Sequence, residues 1–388
     1  MNRLSSEELV ALVGRVFRPG PQDRSLAILV DLPDQRTTDT EAWHVRRQMA
    51  AGWTEDLRSH SEQTGIEVDL YLYRNVGLNN ADLPPQAHLH TGGSLPVSVD
   101  HLRPSRGEPF AQIFARHSMI IAPTQFSATA PLKLAAREHQ FRAATMPGFG
   151  PSMVPALRLD YGEVNRRVCL FKELLDRAEL AALSFVVEDV DQEQELGLKL
   201  DLRWRTAYAS GGLLHEPGTA GNLPSGEAYI VPYEGETEPS RSAGRLPVQF
   251  GDEVVVYEVQ GNRAVRVTGH GAMARREAEL LAAEPAYGNL AELGLGVLTD
   301  FGIQPTGEIL LDEKLGLHIA FGRSDHFGGQ VGASDFSRPE AVVHIDRVYL
   351  RATQPRVRVA SVELHNPDGT KVALIENDRY VVDFGQGR

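Results

Sequence analysis

Apolar positions follow two different rhythms along this chain. In the first half, near-continuous apolar runs alternate with segments of helical spacing. LAILVDL (Leu26 to Leu32) is one such run, the pattern of a buried parallel strand. A helical segment follows from about Glu41 to Thr64, closed by Gly65. IEVDLYLY (Ile66 to Tyr73) alternates like a strand, and helical PFAQIFARH leads into SMIIAP (Ser118 to Pro123), another buried strand. A helix over roughly Ala130 to His139 precedes FRAATMP (Phe141 to Pro147). Strand and helix taking turns in this way predicts a doubly wound α/β domain.

A helix from about Tyr161 to Ala182 joins this half to a second of different character. There short β runs crowd together: LSFVVE, LKLDLRW, AYIVPY and VVVYEVQGNRAVRV, the last holding a hairpin signal at QGNR. MARREAELLAAE (Met273 to Glu284) is the clear helix, and a C-terminal hairpin turns at Asn366 to Gly369. The expectation is an N-terminal α/β domain over 1–180 and a strand-rich α+β domain over 181–388, within the α/β class. No internal repeat is present.

Composition narrows the function. A hydrophobic share of 42% across 388 residues supplies ample core, and no run is long or apolar enough to cross a bilayer. The net charge of -13, with no clustered Lys/Arg run, argues against nucleic-acid binding. A single cysteine, Cys169, excludes an intrachain disulfide framework and any cysteine-cluster metal site. The first residues do not read as a signal peptide: Glu7 and Glu8 stand where basic residues belong, and Ser5 with Glu8 matches a capping box. A cytoplasmic protein is expected.

Chemistry concentrates between Leu315 and Asp346, where His318, Asp325, His326, His344 and Asp346 fall in one span. Two apolar runs, HIAF (His318 to Phe321) and VVHI (Val342 to Ile345), read as buried strands joined by a glycine-rich loop. Neighbours two apart on a strand share a face, so His344 and Asp346 project together, either as a divalent metal requires or as a core histidine beside a surface aspartate, until the residues upstream are added. Upstream, the tight loop GNLPSG delivers Glu227 to the start of a strand. Glu292 lies in the apolar, glycine-rich NLAELGLG, where an unpaired carboxylate would be costly. HLH (His88 to His90) is either a metal site or an exposed pair of loop histidines, with no carboxylate close by. Glu227, Glu292, His318, His344 and Asp346 form a cysteine-free set that suits two hard or borderline divalent cations, Zn, Co, Mn or Mg. Such a pair could activate a water and polarise a carbonyl, with Glu227 or Glu292 bridging or acting as general base.

The segments NLPSGE, NLAELGLG, LGLHIAFG and VVHID, in that order, resemble the thermophilic-aminopeptidase metallopeptidases typified by aminopeptidases T and S. PTQFSATAP and ATMPG extend the similarity into the first half. The resemblance implies a metal pair at Glu227, Glu292, His318, His344 and Asp346. It also implies a peptide or small amide-like substrate, removal of N-terminal residues, and a homodimer. After its HIAFG strand the family carries a tyrosine near the metals; here Asp325 stands in that place, followed by His326. Asp325 is then either a further metal ligand or a solvated loop residue. The family also has an iron-dependent relative that opens the ring of a dihydroxypyridine with two histidines and one carboxylate. That relative implies, as the alternative, a mononuclear Fe(II) dioxygenase using His318 or His344 with Asp346; a metal-binding dimer without turnover is a third reading.

Overall fold

The computed structural model describes residues 3–188 and 193–385. The chain divides into two compact units that interleave along the sequence: 1–165 with 210–225 and 306–311, and 166–209 with 226–305 and 312–388. The boundary falls inside the helix Tyr161–Arg177.

The first unit is built on a seven-stranded sheet. Its order is Ala220–Asn222, Arg142–Thr145, Met119–Ala122, Ser25–Leu32, Glu67–Arg74, Gln86–His90, Glu108–Pro109. The first five run parallel; Gln86–His90 pairs antiparallel with Glu67–Arg74, and Glu108–Pro109 pairs antiparallel with Gln86–His90. Ser25–Leu32 is central and buried along nearly its whole length, which explains its uninterrupted apolar run. Ala27, Leu29, Tyr71, Ile113, Ile120 and Phe141 form its core with the helix Phe110–Arg116. The opening helix Ser6–Phe17 carries the expected capping box between Ser5 and Glu8.

The second unit holds an eight-stranded antiparallel sheet and a five-stranded sheet. The expected hairpins are there. Glu253–Gln260 turns into Arg263–Thr268 through Gly261 and Asn262, both at positive φ, and Val357–His365 turns into Lys371–Glu376.

Three expectations need correction. The helix expected to run on to Ala182 stops at Arg177, because Leu180–Glu188 is drawn into the eight-stranded sheet between two partners. His88 and His90 lie on the strand Gln86–His90, paired with Leu72 and Leu70, and not in a loop. The strand expected from Val342 begins at His344; Pro339 opens a short 3-10 turn over Pro339–Ala341 that delays it. Among the described residues, no helix is long and apolar enough to cross a membrane.

Candidate metal centre

The five-stranded sheet positions the site. Its order is His344–Val348, Leu317–Gly322, Leu290–Gly296, Glu227–Ile230, Tyr208–Ser210. Antiparallel registry sets Glu227 opposite Gly296, Tyr229 opposite Gly294, Gly294 opposite His318, Glu292 opposite Ala320, and Ala320 opposite Asp346. Directly paired residues share a face, as do residues two apart, so Glu227, Tyr229, Glu292, His318, His344 and Asp346 project from one side. Glu292 is in this phase by plain alternation from Gly294; the bulge between Leu290 and Glu292 lies beyond it and sets Leu290 opposite Phe321. Small residues leave the room. Gly294 is required where it stands, since a Cβ there would lie 1.9 Å from His318 Nε2.

Five expected ligands therefore converge in two overlapping groups. Glu227, Glu292 and His318 form one, and Glu292, His344 and Asp346 the other, with the donor atoms of each group within 4.8 Å of one another. Glu292 is shared. Its Oε1 lies 3.1 Å from His318 Nε2 and its Oε2 lies 3.3 Å from His344 Nε2. His344 Nε2 is also 3.5 Å from Asp346 Oδ1, and His318 Nε2 is 3.5 Å from Glu227 Oε2. Each ring turns its other nitrogen to a backbone carbonyl: His344 Nδ1 donates to Arg323 O at 2.8 Å, and His318 Nδ1 to Gly316 O at 3.3 Å. In metal sites such outer bonds fix the ring and direct the free nitrogen at the ion. Glu227 Oε2 is buried with no hydrogen-bond partner, an arrangement that a cation would satisfy. The donor set, imidazole and carboxylate without sulfur, fits a hard or borderline divalent ion.

The two groups differ in depth. His318 is fully buried, whereas the His344 side chain is 20% exposed, so the site opens on the His344 and Asp346 side. Burial opposes charge on both rings, but the carboxylates outweigh it. Glu292 and Glu227 hold His318 up at about 9, and Asp346 with Glu292 holds His344 well above the ordinary histidine value. Burial raises Glu227. Asp346 resists burial and is held down by His344, and Glu292 likewise by His318 and His344.

Two charged groups beside Glu227 escaped the sequence reading. Lys314 is 1% exposed, and its Nζ donates to Glu227 Oε1 and to Glu313 Oε1. Burial works against the Lys314 charge, but the two carboxylates hold its pKa above the ordinary lysine value. Burial pushes Glu313 up to about 8. DEKLG reads as a polar turn, and nothing local shows that its lysine points inward.

Asp325 is not brought to the ligands. Its Oδ1 accepts from Arg323 Nε at 2.5 Å and its Oδ2 from Arg323 Nη2 at 3.2 Å, an ion pair about a third exposed. The tight 3-10 turn Asp325–Phe327 directs this carboxylate at its own loop and places the aromatic rings beside the site. His326 lies with its ring 5.3 Å from that of His344, and burial lowers it to about 4. Phe327 lies 5.4 Å from the His344 ring and 4.9 Å from Tyr229, which stacks on Tyr208 at 5.4 Å. This aromatic wall also went unread, because its members come from three separate segments. Glu234 clasps the loop behind it, accepting from Ser324 Oγ at 2.5 Å, Asn289 Nδ2 at 2.7 Å and the Gln330 backbone N–H. His88 and His90 join neither ligand group.

No family model matches the chain, and no curated protein matches it. The resemblance to thermophilic aminopeptidases thus rests on the motif residues alone. Among solved structures, the fold is similar to that of 2,5-dihydroxypyridine dioxygenase from Pseudomonas putida, with a TM-score of 0.60 and 13% sequence identity over 97% of this chain and 98% of that one. At that identity the likeness establishes an α/β fold shared along the whole length.

Proposed function

We propose that this chain is a metal-dependent enzyme whose centre is built on Glu292, His344 and Asp346 and whose substrate is a small planar molecule. One observation carries the reading. A single buried carboxylate, Glu292, presents an oxygen to each of two imidazoles whose outer nitrogens are tied to backbone carbonyls. A divalent ion held there would supply a Lewis acid or, as iron, a site for oxygen chemistry. Glu292, His344 and Asp346 would hold the ion, and the half-buried His344 side would leave it within reach of a substrate. Tyr229, Tyr208 and Phe327 offer ring faces and edges to a planar group beside it. The Arg323 carbonyl keeps His344 Nε2 aimed inward, and the Glu234 clasp holds the Phe327 loop against the site.

Two reactions suit such a centre. Oxygen-dependent opening of a hydroxylated aromatic ring is supported by the full-length fold likeness to a dihydroxypyridine dioxygenase and by the aromatic wall. Against it stands the ligand chemistry: among the described residues, neither donor group pairs two histidines with one carboxylate. Hydrolysis of an N-terminal peptide bond is supported by the second donor group and by the motif resemblance. Homodimer formation and a peptide substrate belong to that second reading.

Metal-free protein, loaded separately with Fe(II) under nitrogen and with Zn(II), Co(II) or Mn(II), separates them. Oxygen uptake with dihydroxypyridines by the iron form supports the first. Release of chromophore from aminoacyl anilides supports the second. Metal bound without either activity leaves a metal-binding protein without turnover, and no metal bound under any condition removes the whole reading.

A further inference from the structure

The two donor groups that share Glu292 are not equivalent, and the difference is a lysine. Lys314 Nζ donates to Glu227 Oε1 and to Glu313 Oε1 with its side chain 1% exposed. An ammonium locked between two carboxylates in a dry site is a permanent positive charge. A dication on Glu227 Oε2 would sit across the same carboxyl group from that charge, where neither water nor salt screens the repulsion well. Among the described residues, the outer group has no lysine or arginine bonded to its carboxylates: Glu292 and Asp346 pair with histidines there, and Lys314 reaches Asp346 only through space.

We propose that Lys314 is the resident cation of the inner group and takes the place of a second metal ion. The centre then holds one divalent cation, at Glu292, His344 and Asp346. Glu227, His318, Lys314 and Glu313 form a hydrogen-bonded, ion-paired floor beside it. This inference rests on the metal-centre reading above and deepens it, because the number of ions separates the two reactions. Two-metal hydrolysis needs both groups filled, whereas oxygen-dependent ring opening needs one ion with open positions.

Metal content decides it without any activity assay. Metal-free full-length chain is loaded with excess Mn(II), desalted and analysed by mass spectrometry, with affinities taken from calorimetry. The parent is expected to retain one equivalent. Glu227→Gln is expected to retain one as well, bound more weakly for the lost charge, since the ion sits on Glu292, His344 and Asp346 while Glu227 Oε1 accepts from the lysine. Lys314→Met is expected to gain a second equivalent, its affinity for that ion rising about 100-fold or more. Two equivalents in the parent would overturn the proposal while leaving the metal-centre reading intact; none would overturn both. A folded Lys314→Met chain that stays at one equivalent also overturns it. So does a folded Glu227→Gln chain that retains no metal, a measurement that stands even if the lysine variant does not fold.

Discussion

Asp31 and Glu292 are the same kind of residue in the same kind of setting, and they end in opposite roles. Each is an acid inside an apolar run on a central strand, LAILVDL and NLAELGLG, and each is nearly inaccessible, at 1% and 4% exposure. Asp31 is surrounded by fixed donors. Its Oδ1 accepts from Trp43 Nε1 at 3.1 Å and the Gln125 N–H at 2.8 Å, and its Oδ2 from the Phe126 N–H at 3.0 Å. Those bonds tie the end of one strand to the loop after another, which is structural work. Among the described residues, Glu292 bonds only the imidazoles of His318 and His344, groups that can give up a proton and accept a cation. Burial of a carboxylate therefore does not mark a site; the chemistry of its partners does.

The sharpest way to break the contrast is Glu292→Gln, which keeps the shape and removes the charge. Metal affinity should fall by more than about 100-fold, measured by competition with a chelator, with the circular dichroism spectrum unchanged. Retained affinity would mean that the cluster is not a metal centre.

Asp31 should answer to pH instead. Burial raises its carboxyl from 3.8 to about 6, so the folded chain keeps this proton where the unfolded chain has lost it. The folded state binds more protons between about pH 4 and pH 6, and stability must fall as pH rises through that window, by up to about 3 kcal/mol. Asp31→Asn should flatten that part of the urea-unfolding profile and leave metal content alone. An unchanged profile would show that the donors around Asp31 outweigh its burial.

Metal binding has its own pH signature. In the metal-free chain Asp346 and Glu292 hold His344 above its ordinary value, so an ion must displace a proton from Nε2. Affinity should rise with pH through neutrality, about tenfold per unit for each proton released. A flat response in calorimetry would remove His344 from the ligand set.

The smallest effect belongs to Asp325. Its pair with Arg323 is partly exposed, so Asp325→Ala should cost less than about 1 kcal/mol in thermal unfolding and leave metal content unchanged. Lost metal would restore it as a ligand.

Much of this was legible along the chain. Hydrophobic rhythm separated the parallel strands of the first unit from the hairpins of the second, because strand period and burial are local properties. Glu227, Glu292, His318, His344 and Asp346 were named along the chain as a set, with spacing placing the last pair on one face, and the fold brings the five together. The aromatic wall was not, since Tyr208, Tyr229 and Phe327 meet only after three segments fold together.

The sequence by itself determined the donor types and the strands that carry them. Only the tertiary structure decided which donors share a carboxylate, that Asp325 turns to Arg323, and that Lys314 points inward to Glu227. The reason is physical. Face and period are written in neighbours one to four residues apart, whereas the Glu227–Lys314 pair joins positions 87 residues apart. A charge that distant in sequence becomes a partner only when the sheet closes over it.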